Sequence, residues 1–208
     1  MKRILDFNDM VAIIMDFKTQ YTMLMYANAM LFDHLKDKKL HHCLNENGNF
    51  MLVAQDADFS KALKFNSSYI IHLVEMYAEH RYMKDIPTTC DELMKKNAHF
   101  LRTRVLNGAC ETILHYLKSV KKEGILDSFP WYQMLYLLRN NASHFDNYNA
   151  IIKIPAWMRK HAPKGVHWNG LTITHEQNAN DVIYNDEYVL RLIDSAMILL
   201  QQNESMFV

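Results

Sequence analysis

The chain has 208 residues, half of them hydrophobic, with five glycines and four prolines, which describes a packed, mostly helical protein able to bury a substantial core. Basic and acidic residues number 23 each, so the formal charge is zero and a chain-wide basic surface for nucleic acid is excluded; such a ligand would need a local patch. Three widely spaced cysteines, Cys43, Cys90 and Cys110, exclude a disulfide scaffold and fit a reducing cytosol.

Met1-Lys2-Arg3 is basic, but Asp6 and Asp9 interrupt the apolar core a signal peptide requires. The longest clean apolar run, Met10 to Met15, is too short to span a bilayer, so a soluble cytoplasmic protein is expected. His41-His42-Cys43 lacks the partner spacing of a metal site, and no metal or other cofactor is expected.

The first predicted helix runs from about Asn8, a candidate N-cap, to about Lys38. Ile14, Phe17, Tyr21, Leu24, Leu31 and Leu35 form a seam of three- and four-residue steps, with Asn28 as its polar position. Met25, Tyr26, Met30 and Phe32 widen the apolar surface, which predicts more than one neighbour, within the fold or across a dimer. Residues 39–65 break the pattern, with a turn at Asn45–Asn49 and a short strand at Phe50–Val53.

A second helix is predicted from near Asn66 to before Pro87, carrying Ile70, Leu73, Val74 and Tyr77. Thr89-Cys90-Asp91-Glu92 has the form of a capping box and opens a third helix toward Gly124, with a kink or break at Asn107-Gly108. The fourth helix opens at Ser128-Phe129-Pro130 and places Trp131, Met134, Leu135, Leu138, Ala142 and Phe145 at helical spacing. It should end within a turn of His144, because Asp146-Asn147-Tyr148-Asn149 follows.

From about 151 to 184 alternating residues and Asn/Gly turns predict a small β appendage, centred on Trp168-Asn169-Gly170-Leu171. Asn185-Asp186-Glu187 caps a last helix with Val189, Ile193, Ala196, Met197 and Leu200 on one side. The sum is a mainly-α single domain over 1–208, an up-down bundle of four or five helices with a β-hairpin insertion before the last.

The fourth helix carries the chemistry. Arg139, Asn140, Asn141, Ser143 and His144 cluster at the C-terminal end of an otherwise apolar element. On an ideal helix Arg139 and His144 lie about 140° apart, while Asn140 shares a face with His144 and Arg139 with Ser143. The long arginine stem still lets guanidinium and imidazole converge on one phosphate. An imidazole moves protons near neutral pH and a guanidinium holds charge developing on phosphorus, which is what ribonucleolytic chemistry needs. A purely structural reading stands beside it: Arg139 in a salt bridge and His144 at a helix end.

Three basic groups, Lys95/Lys96/Arg102/Arg104, Lys118/Lys121/Lys122 and Arg159/Lys160/Lys164, read first as solvated faces. His80, His99, His115, His161, His167 and His175 read as structural or solvated, and Trp131, Trp157 and Trp168 as packing residues.

Leu138-Arg139-Asn140-Asn141-Ala142-Ser143-His144-Phe145 resembles the Arg-x4–6-His motif of HEPN domains (higher eukaryotes and prokaryotes nucleotide-binding), in which a polar residue often follows the arginine. The motif covers six residues; the order of several helices, motif helix, hairpin and further helix extends the likeness over most of the chain. The resemblance implies an all-α homodimer that places two arginines and two histidines in one cleft. It implies a metal-independent endoribonuclease of toxin–antitoxin, phage-defence or CRISPR-linked type, with RNA as substrate and a cognate antitoxin or defence protein as partner.

Carried over by motif position, Arg139 would hold the scissile phosphate, His144 would act as general acid or base for attack by the ribose 2′-hydroxyl, and Asn140 would orient one of them. Asn141 and Ser143 would contact substrate. Because the 2′-hydroxyl is the nucleophile, RNA rather than DNA is cleaved. One subgroup carries a tyrosine two residues after the histidine; here that position is Asp146, and antitoxin modification of such a tyrosine is not expected. A non-catalytic HEPN-like module that binds nucleotide, RNA or protein is the alternative, and a helical interaction protein built on the apolar face of residues 10–35 is the third reading.

Overall fold

The computed structural model describes residues 5–36, 40–44, 50–55, 70–76, 90–142 and 151–207. Five α-helices dominate the described residues: α1 (Phe7–Leu35), α2 (Cys90–Ser119), α3 (Pro130–Ala142), α4 (Ala156–His161) and α5 (Asp186–Gln202). The strands are β1 (Leu40–Leu44), β2 (Phe50–Gln55), β3 (Ile70–Met76), β4 (Ile151–Ile152), β5 (Val166–Trp168), β6 (Leu171–Ile173) and β7 (Gln177–Asn178). The fold is mainly α, with a small hairpin region before the last helix, as the sequence predicts. The chain forms two compact units, Met1–Met23 with His99–Val208, and Leu24–Ala98; the division falls inside α1 and α2.

In the larger unit the buried positions follow helical spacing: Met10 and Ile14 on α1, Leu106, Cys110, Ile113 and Leu117 on α2, Met134, Leu135 and Leu138 on α3, and Val189, Ile193, Ala196 and Leu200 on α5. The start of α1 is held by Asp6, whose Oδ1 accepts from Asp9 N at 2.7 Å. The expected cap, Asn8, instead stands inside the first turn. Phe7 stacks on Phe207 and meets Tyr116 edge-on, tying the ends of α1, α2 and the C-terminal segment into one aromatic cluster.

α2 runs without a break through Asn107-Gly108, where the sequence suggests a kink or break. The glycine has a packing reason. A Cβ at Gly108 would stand 2.7 Å from the Phe17 ring, so the missing side chain lets that ring lie against the helix. Helix α3 opens with Pro130 in its first turn, and the buried Gln133 donates through Nε2 to Asp127 O at 2.6 Å, closing the preceding loop onto the helix.

The appendage is a set of short ribbons. β5 and β6 pair through Val166↔Ile173, His167↔Thr172 and Trp168↔Leu171. Both turn residues take positive φ, Asn169 at 45° and Gly170 at 84°, the two-residue turn that Asn-Gly favours. β4 pairs with β7. α3 packs on β5 and on α5. The short α4 was not expected from sequence; it follows Pro155 and buries Met158. Asn185 caps α5 as predicted, its side chain accepting from Tyr188 N at 2.9 Å.

A polar clamp joins α1, α2 and α5 in this unit. Asp186 Oδ1 accepts from Tyr21 Oη at 2.6 Å and from Arg102 Nε at 2.5 Å, and Oδ2 from Arg102 Nη2 at 3.4 Å. Burial alone would raise the Asp186 carboxyl, but the hydrogen bonds from Arg102 and Tyr21 win and hold it below the usual carboxylate range. Burial, reinforced by the bond to Asp186, pushes the Tyr21 phenol upward. Arg102 is thereby committed to structure.

In the smaller unit β1, β2 and β3 form an antiparallel sheet in that order, with a bulge between Leu52 and Val53. The helix expected from Asn66 to before Pro87 is therefore corrected where the residues are described: Ile70–Met76 is strand β3, paired with β2 from Gln55↔Ile70 to Phe50↔Met76. Its run of Ile, Ile, Leu and Val fits both periods, and pairing with the partner strand decides for the extended form. β2 covers and extends the predicted strand, whereas β1 was not foreseen. Asn28 is half-buried and bonds within the unit, donating to Met94 O and accepting from Asn97 Nδ2, each at 3.4 Å. The predicted capping residue Thr89 lies outside the described residues.

Two stability outcomes are expected. Gly108→Val should destabilise the protein by about 1–3 kcal/mol through collision with Phe17, and the added Phe17→Ala change should recover part of that loss in a double-mutant cycle read by urea denaturation. For Asp186, the folded carboxyl is the stronger acid, so its stabilisation is present above the unfolded value of about 4 and is lost as pH falls through the folded value. Asp186→Asn should cost about 2 kcal/mol at pH 7 by leaving Arg102 without its carboxylate, and the gap to wild type should narrow at pH 3.

Candidate functional site

Helix α3 is buried almost all round, with Trp131, Tyr132, Gln133, Met134, Leu135, Leu137 and Leu138 each at most 3% exposed. Its polarity is confined to the C-terminal end, where Arg139, Asn140 and Asn141 are half-buried. A helix so enclosed fixes the stems of these side chains, because the preceding turns cannot rotate without uncovering the core.

Arg139 reaches in two directions. Nη1 donates to Asn140 Oδ1 at 2.9 Å, and Nη2 pairs with Glu111 Oε1 of α2. The arginine side chain is 28% exposed and Glu111 55%, so the pair sits at the protein–water boundary, where such a bridge contributes at most about 1 kcal/mol. The salt-bridge reading of Arg139 is thus realised, and Glu111 is its partner. The neighbour of Glu111, Cys110, is fully buried; burial pushes its thiol up to about 12, against a smaller downward pull from Arg139.

Asn140 and Asn141 border a cleft of about 340 Å³ whose other described walls are Leu137, Ala179, strand β4 and the adjoining Lys153. Asn141 Nδ2 lies 3.5 Å from Ala179 O, at the outer limit of a hydrogen bond. The structure therefore brings Arg139, Asn140 and Asn141 together at one helix end. Ser143 and His144, with Phe145, Asp146 and Tyr148, lie outside the described residues.

The other candidates have structural settings. His99 contacts Thr103, His167 bonds Thr172 across the hairpin at 2.7 Å, and His175 Nδ1 accepts from Ile154 N at 3.1 Å. His115 and His161 are exposed, and His80 lies outside the described residues. Trp131 is buried, Trp157 meets Tyr136 edge-on, and Trp168 meets Tyr188 edge-on, each a packing role as expected. In the basic groups, Lys95 pairs with Asp91 at 2.5 Å and Lys122 donates to Met206 O at 2.9 Å, while Arg159, Lys160 and Lys164 face solvent.

Among the described residues no group of three or more His, Cys, Asp or Glu side chains is placed to hold a metal ion, and no helix is long and apolar enough to cross a membrane. Glu111 and the β4 wall of the cleft are the elements that sequence reasoning missed; Glu111 lies 28 residues from Arg139, beyond any local spacing rule. No family model matches the chain, nor does any curated protein or solved structure.

The thiol beside the site offers a direct check of its burial. With Cys43 and Cys90 changed to serine, Cys110 should react with iodoacetamide at pH 8 at least about 100-fold more slowly in the folded protein than in urea, since burial suppresses both access and the thiolate. Comparable rates in both states would show that α2 opens locally at the site.

Proposed function

We propose that this chain is a metal-independent endoribonuclease of HEPN type, acting as a homodimer in toxin–antitoxin or phage defence. The observation that carries this reading is the half-buried polar end of α3, where Arg139 donates to Asn140 and both Asn140 and Asn141 edge a cleft. In the proposed reaction the ribose 2′-oxygen bonds to phosphorus and the bond to the 5′-oxygen breaks, leaving a cyclic phosphate and a 5′-hydroxyl. Arg139 holds the phosphate and the charge that develops on it. His144 takes the proton from the 2′-hydroxyl or supplies one to the leaving oxygen, and Asn140 orients the guanidinium through its 2.9 Å contact. Ser143 and Asn141 contact the flanking nucleotide.

Glu111 competes with the substrate for Arg139. A phosphate reaching Nη2 must displace a carboxylate from it, at a cost of at most about 1 kcal/mol. That ion pair, with the zero formal charge of the chain, favours the second reading, a non-catalytic HEPN-like module that binds nucleotide, RNA or a protein partner through the same residues.

The test compares wild type, Arg139→Ala, Arg139→Lys and His144→Ala on a labelled mixed RNA with EDTA present, dimer state being followed by light scattering. Wild type should yield cyclic phosphate ends, and each folded variant should lose at least about 100-fold in rate. Glu111→Gln should bind RNA up to about fivefold more tightly than wild type, from the 1 kcal/mol released. Cleavage that survives both Arg139→Ala and His144→Ala would end the ribonuclease reading, and binding without cleavage by a well-folded dimer would favour the module.

A further inference from the structure

We infer that the cleft between the end of α3 and β4 is a nucleobase subsite, in which Asn140 and Asn141 read the edge of a base. The inference rests on the ribonucleolytic reading for its link to RNA, while the cleft itself is lined by residues other than Arg139. The cleft, at about 340 Å³, stands at the lower end of the roughly 300–1,000 Å³ typical of small-molecule sites, which suits one nucleoside better than a folded partner.

Its lining divides by chemistry. Leu137 and Ile152, both nearly fully buried, offer apolar contact for the faces of a flat ring. The two carboxamides offer polar complementarity. Asn140 Oδ1 already accepts from Arg139, which leaves its amide N–H groups as donors. Asn141 places its Nδ2 toward Ala179 O, which leaves its Oδ1 as an acceptor.

A donor from one carboxamide and an acceptor from the next can meet the adjacent acceptor and donor on a base edge, dividing between two side chains the pairing that a single asparagine amide makes with adenine. RNA recognition that discriminates sequence works on such unstacked bases. An anion would find a poorer match, with Lys153 as the one formal charge among the described residues lining the cleft. Asn140 connects the two functions, since the carboxamide that edges the cleft also bonds the guanidinium assigned to phosphate. A base seated there lies beside the phosphate-binding arginine, and base identity is then coupled to cleavage position.

The experiment titrates the full-length protein with adenosine, guanosine, cytidine and uridine, each without phosphate, and reads backbone amide signals of residues 137–141, 151–153 and 179 by NMR. At least one nucleoside should shift these signals saturably with Kd on the order of 1 mM, and the four should differ in affinity by at least about threefold. Asn141→Leu should weaken the best nucleoside at least tenfold, as should Ala179→Leu, which narrows the cleft; spectra of both variants report whether the fold is kept. No saturable shift with any nucleoside, shifts confined to other residues, or a response of the 151–153 and 179 signals to inorganic phosphate alone would overturn the inference. RNA cleavage without nucleoside binding would remove the subsite and leave the ribonuclease reading intact; nucleoside binding without cleavage would do the reverse.

Discussion

The larger unit depends on how Asp186 is satisfied. A carboxylate in the first turn of α5 is favoured by the helix N-terminus, but burial opposes its charge, and two donors from two other helices settle the balance. The clamp fixes α1 at Tyr21, α2 at Arg102 and α5 at its first turn. Nine residues along α2 from Arg102 stands Glu111, half a rotation round the helix and about 13 Å further along its axis. The same helix thus presents one charged residue to the clamp and another to α3. Anchoring α2 at Arg102 therefore sets where Glu111 meets Arg139, so the fold and the candidate site share one rigid element.

The two arginines show how differently one side chain can be used. Arg102 is partly buried and meets both oxygens of one carboxylate, the fork geometry in which guanidinium exceeds ammonium. Its removal would leave a half-buried carboxylate without its main counterpart. Arg139 divides its fork between an amide and a largely exposed carboxylate, contacts that water or a ligand can replace at small cost. The phosphate contact proposed for Arg139 needs that exchangeability, and a structural arginine must lack it. This contrast, rather than the motif spacing, separates the two in the fold.

What could be read from the sequence was whatever rests on local chemistry. The Asn169-Gly170 turn, the Asn185 cap and the start of α3 at Pro130 each follow from neighbours within a few residues, and each is where the sequence places it. Ile70–Met76 was misread because its apolar spacing satisfies a helix as well as a strand, and its pairing partner lies some twenty residues upstream. Gly108 suggested a break because glycine is a weak helix former, yet the ring of Phe17, ninety-one residues away, explains it as a packing residue. The site divides in the same way. Arg139, Asn140 and Asn141 were found through their clustering on an apolar helix, while Glu111 and the β4 wall are tertiary neighbours that no spacing announces.

The neutral charge of the chain bears on how an RNA would be held. Binding driven by phosphates needs many cations and weakens steeply with salt. Here two of the candidate cations are committed elsewhere, Arg102 to Asp186 and Lys122 to the Met206 carbonyl. If the proposed substrate is RNA, a chain arranged in this way would gain little from the phosphate backbone, and affinity would have to come from contacts with the bases themselves. Carboxamides beside apolar side chains are suited to such contacts. On the proposed reading, zero formal charge and a base-reading cleft would be two sides of one arrangement: weak general attraction would let discrimination rest on the cleft beside Arg139, Asn140 and Asn141.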